Sequence, residues 1–133
     1  MIALDTNAII RMLIEDDKIQ ADRVKRSIRK AQKNSEQILI LTEVLIETVW
    51  VLESVYKCLK SEIIDYLEML NSIPLFLIPE NLPMRGIFAQ YLKGADFADL
   101  VVVYQAKNKQ ARNILSFDKK LQKRFPGFVV EKI

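Results

Sequence analysis

Histidine is absent from this 133-residue chain. Its absence excludes Ser-His-Asp and Cys-His nucleophilic catalysis, imidazole acid–base chemistry and nearly all zinc sites. A single cysteine, Cys58, excludes an intramolecular disulfide and a thiolate metal cluster. An enzyme built from this chain must work with carboxylates, hydroxyls, lysines or a hard, oxygen-preferring metal ion. Three Gly and four Pro leave little room for linkers, and with 50% apolar and 28% charged residues the expectation is one globular domain spanning 1–133. Unbroken apolar runs such as Leu100–Tyr104 fall far short of the roughly 20 residues of a membrane span. With no basic lead, apolar core and small-residue cleavage site at its start, the chain is expected to be cytoplasmic, with no membrane partner.

What is present is charge, unevenly placed. The net charge is only +3, yet Lys18–Lys33 carries Lys18, Arg23, Lys25, Arg26, Arg29, Lys30 and Lys33 against the single acid Asp22. Lys107–Arg124 carries seven more basic residues against Asp118 alone, so 14 of the 20 basic residues lie in two segments. Clustered lysine and arginine are the footprint of a phosphate-backbone partner. A solvated helix face is the plain alternative for either segment, and Arg23–Lys33 also suits an acidic partner segment.

Short apolar runs alternate with amphipathic ones. Ile2–Asp5 reads as a buried strand whose end, Thr6 and Asn7, caps a helix over Ala8–Ile14. A basic helix runs through about Asn34. Ile38–Leu41 is a second strand, followed by a long helix from about Val44 to Tyr56. Ser61 caps a helix to Asn71 with Ile63, Ile64, Leu67 and Leu70 as its apolar stripe. Leu75–Ile78 is a third strand, and Pro83 opens a helix to about Leu92. Asp96–Lys109 reads as a helix with a buried middle, although Leu100–Tyr104 alone is also compatible with a strand. Asn113–Ser116, Asp118–Arg124 and Phe128–Val130 complete the pattern as strand, helix and strand. Apolar strands alternating with helices predict an α/β fold, a three-layer α/β/α sandwich around a mostly parallel central sheet of four to five strands. Such sheets hold ligands at the carboxyl ends of their strands.

Acids stand at those ends. Asp5 closes the first strand, Glu43 and Glu47 follow the second, Asp96 and Asp99 lie three apart at a helix start, and Asp118 follows Ser116-Phe117 after the fourth strand. Each has a plain reading as a helix cap or first-turn acid. Glu47 fits that reading least. Its helix, Val44–Leu52, is apolar nearly all round, so Glu47 is expected to be buried and to need a salt bridge, a hydrogen-bond network or a metal. Trp50 and Tyr56 on the same segment read as core, with a dimer interface as the alternative. Four or five carboxylates gathered in one cleft would repel one another without a cation, and an all-oxygen set without His or Cys selects Mg²⁺ or Mn²⁺. Such ions activate water for phosphodiester cleavage.

These motifs resemble a known family. Asp5-Thr6-Asn7-Ala8-Ile9-Ile10-Arg11-Met12-Leu13 with Glu15-Asp16-Asp17 resembles the opening of PIN-domain ribonucleases of the VapC toxin type. Leu45–Leu52 around Glu47 resembles their second acidic motif, Ala95–Val101 their third and Ser116–Asp118 their fourth. The four occur in order across residues 1–118. The resemblance implies a Mg²⁺- or Mn²⁺-dependent endoribonuclease, the toxin of a toxin–antitoxin pair, often a homodimer and inhibited by its antitoxin. It implies Asp5, Glu47, Asp99 and Asp118 as the catalytic and metal-binding acids, Asp96 as an accessory metal ligand, and Thr6, Asn7 and Ser116 as hydrogen-bonding support. RNA-contacting residues are not implied. Leu100-Val101-Val102 is bulkier than the family's usual residues there, and Ser116 stands where Thr is common. The expected mechanism is in-line attack on an RNA phosphate by a metal-activated water.

Two other classes compete. An aspartyl phosphotransferase on a doubly wound sheet needs an acid two residues after its nucleophile, where this chain has Asn7, and a lysine after a late strand, where it has Asp118. A catalytically inactive RNA- or partner-binding module would need only the basic segments.

Overall fold

The computed structural model describes residues 1–133, in two compact units, Met1–Glu80 and Asn81–Ile133. In the first unit, β1 (Ile2–Ala3), β2 (Ile38–Leu39) and β3 (Phe76–Leu77) form a parallel sheet in the order β1-β2-β3, with Ile2 opposite Ile38 and Ile38 opposite Phe76. Leu4 N–H donates to Leu39 O at 3.1 Å and Ile40 N–H to Leu77 O at 2.9 Å, carrying the ladder to the sheet's carboxyl edge. Parallel strands need crossovers, and α1 (Thr6–Ile14), α2 (Lys18–Lys33), α3 (Thr42–Ser54) and α4 (Lys60–Ser72) supply them. Ile9, Ile38, Ile40, Leu45, Leu52, Ile63 and Leu67 are almost wholly buried. Each such side chain contributes about 1.5–3 kcal/mol by leaving water.

The second unit holds α5 (Met84–Leu92), α6 (Phe97–Asn108), β4 (Ile114–Leu115), α7 (Lys119–Arg124) and β5 (Val129–Val130). β4 and β5 pair in parallel, Ile114 opposite Val129. Leu100–Tyr104 is helical, which resolves the strand alternative: Asp96 caps α6 and the run buries Leu100, Val101 and Val103 on one face. Tyr91 meets Phe97 edge-to-face, with ring centroids 5.9 Å apart, and Tyr104 meets Phe125 likewise. Lys107 Nζ lies over the rings of Tyr104, Phe125 and Phe128 at 5.4, 5.2 and 5.1 Å. No helix is long and apolar enough to cross a membrane.

Every expected strand is present, but as a three-stranded sheet and a two-stranded ladder, not as one central sheet of four to five. Two helix starts also differ from expectation. α1 begins at Thr6, with Asp5 itself as the cap, because the aspartate Oδ1 accepts the Thr6 N–H at 2.8 Å. α4 begins at Lys60 and takes Ser61 inside. There Glu62 Oε1 accepts the Leu59 N–H at 2.9 Å, doing the capping expected of Ser61.

The largest departure is α3. Its buried face is Thr42, Leu45, Thr48, Val49 and Leu52. Glu47 is exposed and has no ion pair, and Trp50 is 61% exposed, so neither the buried carboxylate nor the core tryptophan is found. The physical reason is Thr48. Its hydroxyl donates to Val44 O at 2.7 Å, four residues back, so this polar side chain enters the core already satisfied. The helix is thereby rotated to leave Glu43, Glu47 and Trp50 on the outer face. Tyr56 is half-buried and serves a polar network.

Candidate active site

In the second unit, α5 ends at Leu92 and Gly94 follows its cap Lys93 with a φ of 101°, which suits a residue without a side chain. Gly94 N–H donates to Tyr91 O and Ala95 N–H to Gln90 O, so the chain turns sharply and delivers Asp96 to the start of α6. Asp96 Oδ2 accepts the Asp99 N–H at 3.0 Å. β4 delivers the second acid. Ser116 Oγ accepts the Asp118 N–H at 3.1 Å, and Asp118 Oδ1 accepts the Leu121 N–H at 3.0 Å, capping α7. Asp96, Asp99 and Asp118 line one cavity of about 220 Å³ with Lys120 and Arg124. Asp99 is half-buried there. Burial pushes its carboxyl above the usual carboxylate range, and the charges of Asp96 and Asp118 push it further.

The first unit carries the other two motif acids at the carboxyl side of its sheet. Asp5 stands one residue beyond the end of β1, after Leu4, and is exposed; its Oδ1 caps α1. Glu47 lies on the second turn of α3, after β2, facing outward with Glu43 one turn earlier. Thr6 supports Asp5 through its backbone N–H only, for its own Oγ1 is buried without a partner, as is that of Thr42. Asn7 is exposed and lines a cavity of about 200 Å³ with Arg11, Gln20 and Arg23.

Several side chains around the acids are not predicted by the sequence motifs. Arg11 Nε donates to Gln20 Oε1 at 2.6 Å and Nη1 to Asp16 Oδ1 at 3.2 Å, while Tyr56 Oη donates to Asp16 Oδ2 at 2.9 Å. This network ties the helix that Asp5 caps to the start of α2 and the residue beyond α3. Lys120 and Arg124 were hidden in a basic run; their spacing from Asp118 on a short helix was the available signal. Arg124 Nη2 is held by Lys93 O at 3.1 Å, beside Gly94.

The donor set is suited to a hard cation: carboxylates only, with Asp99 crowded by two like charges. Within each unit no three carboxylate or thiol groups form a finished cation cage. Cys58 contributes nothing to one, since burial raises its thiol above the ordinary value and Glu62 adds to this. A separate apolar cavity of about 380 Å³ in the first unit, lined by Met12, Leu13, Ile28, Tyr66, Met69 and Phe76 among others, holds no acid.

The PIN domain family model matches residues 2–126, and the chain belongs to that family. PIN domains are commonly nucleases, which places the chain among hydrolases in general. No curated protein and no solved structure gives a significant match.

Proposed function

We propose that this PIN domain is a Mg²⁺- or Mn²⁺-dependent endoribonuclease acting as the toxin of a toxin–antitoxin pair. The observation that carries the reading is the Asp96–Asp99–Asp118 cavity, where a half-buried carboxyl is disfavoured in its charged form by burial and two neighbouring acids. Such crowding is costly in the free protein and is relieved by a divalent cation. Asp99 and Asp118 would hold the ion with Asp96 as accessory ligand. A bound divalent cation would supply charge neutralisation at the scissile phosphate and an activated water.

The chain's own side chains account for the rest. Ser116 fixes the backbone that presents Asp118, and Asp96 fixes the first turn that presents Asp99. Lys120 and Arg124 line the same cavity and offer positive charge to a phosphate. The exposed basic face of α2 suits a polyanion, and the apolar cavity of the first unit supports a partner that buries apolar side chains, as an antitoxin segment would.

The test is incubation of the purified chain with total RNA, with and without Mg²⁺, alongside Asp99→Asn. Metal-dependent cleavage lost in the variant, together with metal-induced thermal stabilisation of the wild type alone, supports the reading. Neither effect in the wild type would identify an inactive binding module instead.

A further inference from the structure

A polar network and a cavity meet between α1 and α2. The cavity, about 200 Å³, is lined by Asn7, Ala8, Arg11, Gln20, Arg23 and Val24, all within the first unit. The network decides what that lining offers. Arg11 spends Nε on Gln20 Oε1 and Nη1 on Asp16 Oδ1 and Tyr56 Oη, so three of the five N–H groups of its guanidinium are used and the Nη2 pair is left. Because arginine only donates, Gln20 must turn its carbonyl to Arg11, which leaves the Gln20 NH₂ as its open end. Nearby acceptors are already engaged. Asp16 accepts from Arg11 at Oδ1 and from Tyr56 at Oδ2, and Asp17 Oδ1 accepts the Gln20 N–H at 3.0 Å as the cap of α2. Arg23 is exposed and forms no ion pair.

We infer that the cavity between α1 and α2 is a receptor for the phosphate group of a phosphate ester. Two guanidinium groups against the one engaged Asp16 leave positive charge for an anion. A carboxylate needs a single guanidinium fork, whereas donors from Arg11, Gln20, Arg23 and the Asn7 amide suit an anion with three or more acceptor oxygens. Ala8 and Val24 present carbon to the rest of the ligand, which favours an ester with a sugar or other carbon group over the bare ion. Exposed Arg26, Arg29, Lys30 and Lys33, on the same helix but outside the lining, raise the potential that draws an anion in. Two sources share this chemistry: a phosphomonoester and a phosphodiester within RNA. Asp5 caps α1 two residues before Asn7, so a diester seated here lies along the helix that a motif acid opens. The inference goes beyond the ribonuclease reading and needs neither metal nor cleavage.

The test is heteronuclear NMR of the full isotope-labelled chain in EDTA, reading arginine Nε–H and side-chain amide signals. The probes, added at constant ionic strength, are inorganic phosphate, ribose 5-phosphate and a short single-stranded RNA with hydroxyls at both ends. Signals of Asn7, Arg11, Gln20 and Arg23 should shift together and saturate with an ester, more tightly than with inorganic phosphate, while Arg26 and Arg29 stay still. Arg23→Gln should raise Kd on the order of tenfold. Arg26→Gln removes the same charge outside the cavity and should leave Kd nearly unchanged. Thermal unfolding of both variants checks that the fold is kept, as expected for exposed residues without ion pairs. Saturation by the RNA assigns the diester and saturation by ribose 5-phosphate alone the monoester; either supports the inference. No saturable shift with any probe, shifts spread evenly over the α2 arginines, or equal losses in the two variants overturn it. A chain that binds here yet never cleaves RNA refutes the nuclease reading alone, and one that cleaves while these four signals stay still refutes the phosphate receptor alone.

Discussion

Asp99→Asn is expected to inactivate the protein while making its metal-free form more stable. The Asp99 carboxylate accepts no hydrogen bond; only its backbone N–H is used, by Asp96 Oδ2, and that bond survives the substitution. Replacement by the isosteric amide therefore removes a charge disfavoured by burial, Asp96 and Asp118 at little packing cost. Because Asp99 is only half-buried, solvent screens the repulsion, and the gain is on the order of 0.5 kcal/mol. For a chain of this size that is about 2 °C in Tm. The folded-state pKa lies above the unfolded one, so the wild type is penalised as pH rises through the folded value. The two proteins should thus converge near about pH 4, where the unfolded reference carboxyl also protonates. Magnesium should reverse their order at pH 7. At 100 times its dissociation constant an ion adds about 2.7 kcal/mol to a chain that binds it, which only the wild type would gain in full. Thermal unfolding of both proteins at the two pH values, with and without Mg²⁺, reads all of this. A variant less stable than wild type at both pH values, with no reversal by Mg²⁺, would show that Asp99 is a structural residue and refute the reasoning.

Asp118 combines two roles that substitution can separate: Asp118→Asn keeps the α7 cap on Leu121 and Asp118→Ala loses it, so both should abolish cleavage but only alanine should cost about 1 kcal/mol in urea unfolding. Thr42→Val should stabilise the chain by about 1 kcal/mol, since Thr42 Oγ1 is buried without a partner; a loss of stability would mean that the hydroxyl is in fact satisfied. Lys107→Met keeps the stem of the side chain but removes the charge above three rings, and should lower the urea midpoint by an amount equivalent to about 1 kcal/mol. No change there would assign the contact to packing alone.

How much of this was legible in the sequence depends on which force decides each feature. Strand and helix order is set by the alternation of short apolar runs with capped amphipathic ones, and all five strands and seven helices lie where that alternation puts them. The acids at strand ends are local features of the same kind: Asp5, Asp96 and Asp118 are each a helix cap, with side chains accepting from Thr6, Asp99 and Leu121 N–H groups. Capping and metal binding ask for the same residue at the same place, which is why cap chemistry alone could not separate them. Asp99 is different, because its pKa is raised first by burial and then by Asp96 and Asp118, and of these causes burial and Asp118 are supplied only by the tertiary fold. Rotation of α3 was not legible either. Counting apolar residues around Val44–Leu52 predicts a helix buried on all sides, but a threonine bonded to its own backbone is cheaper to bury than a tryptophan is to crowd into a filled core. Thr48 takes the inside position, and Glu47 and Trp50 are left facing solvent. An exposed tryptophan forfeits most of the free energy its burial would contribute.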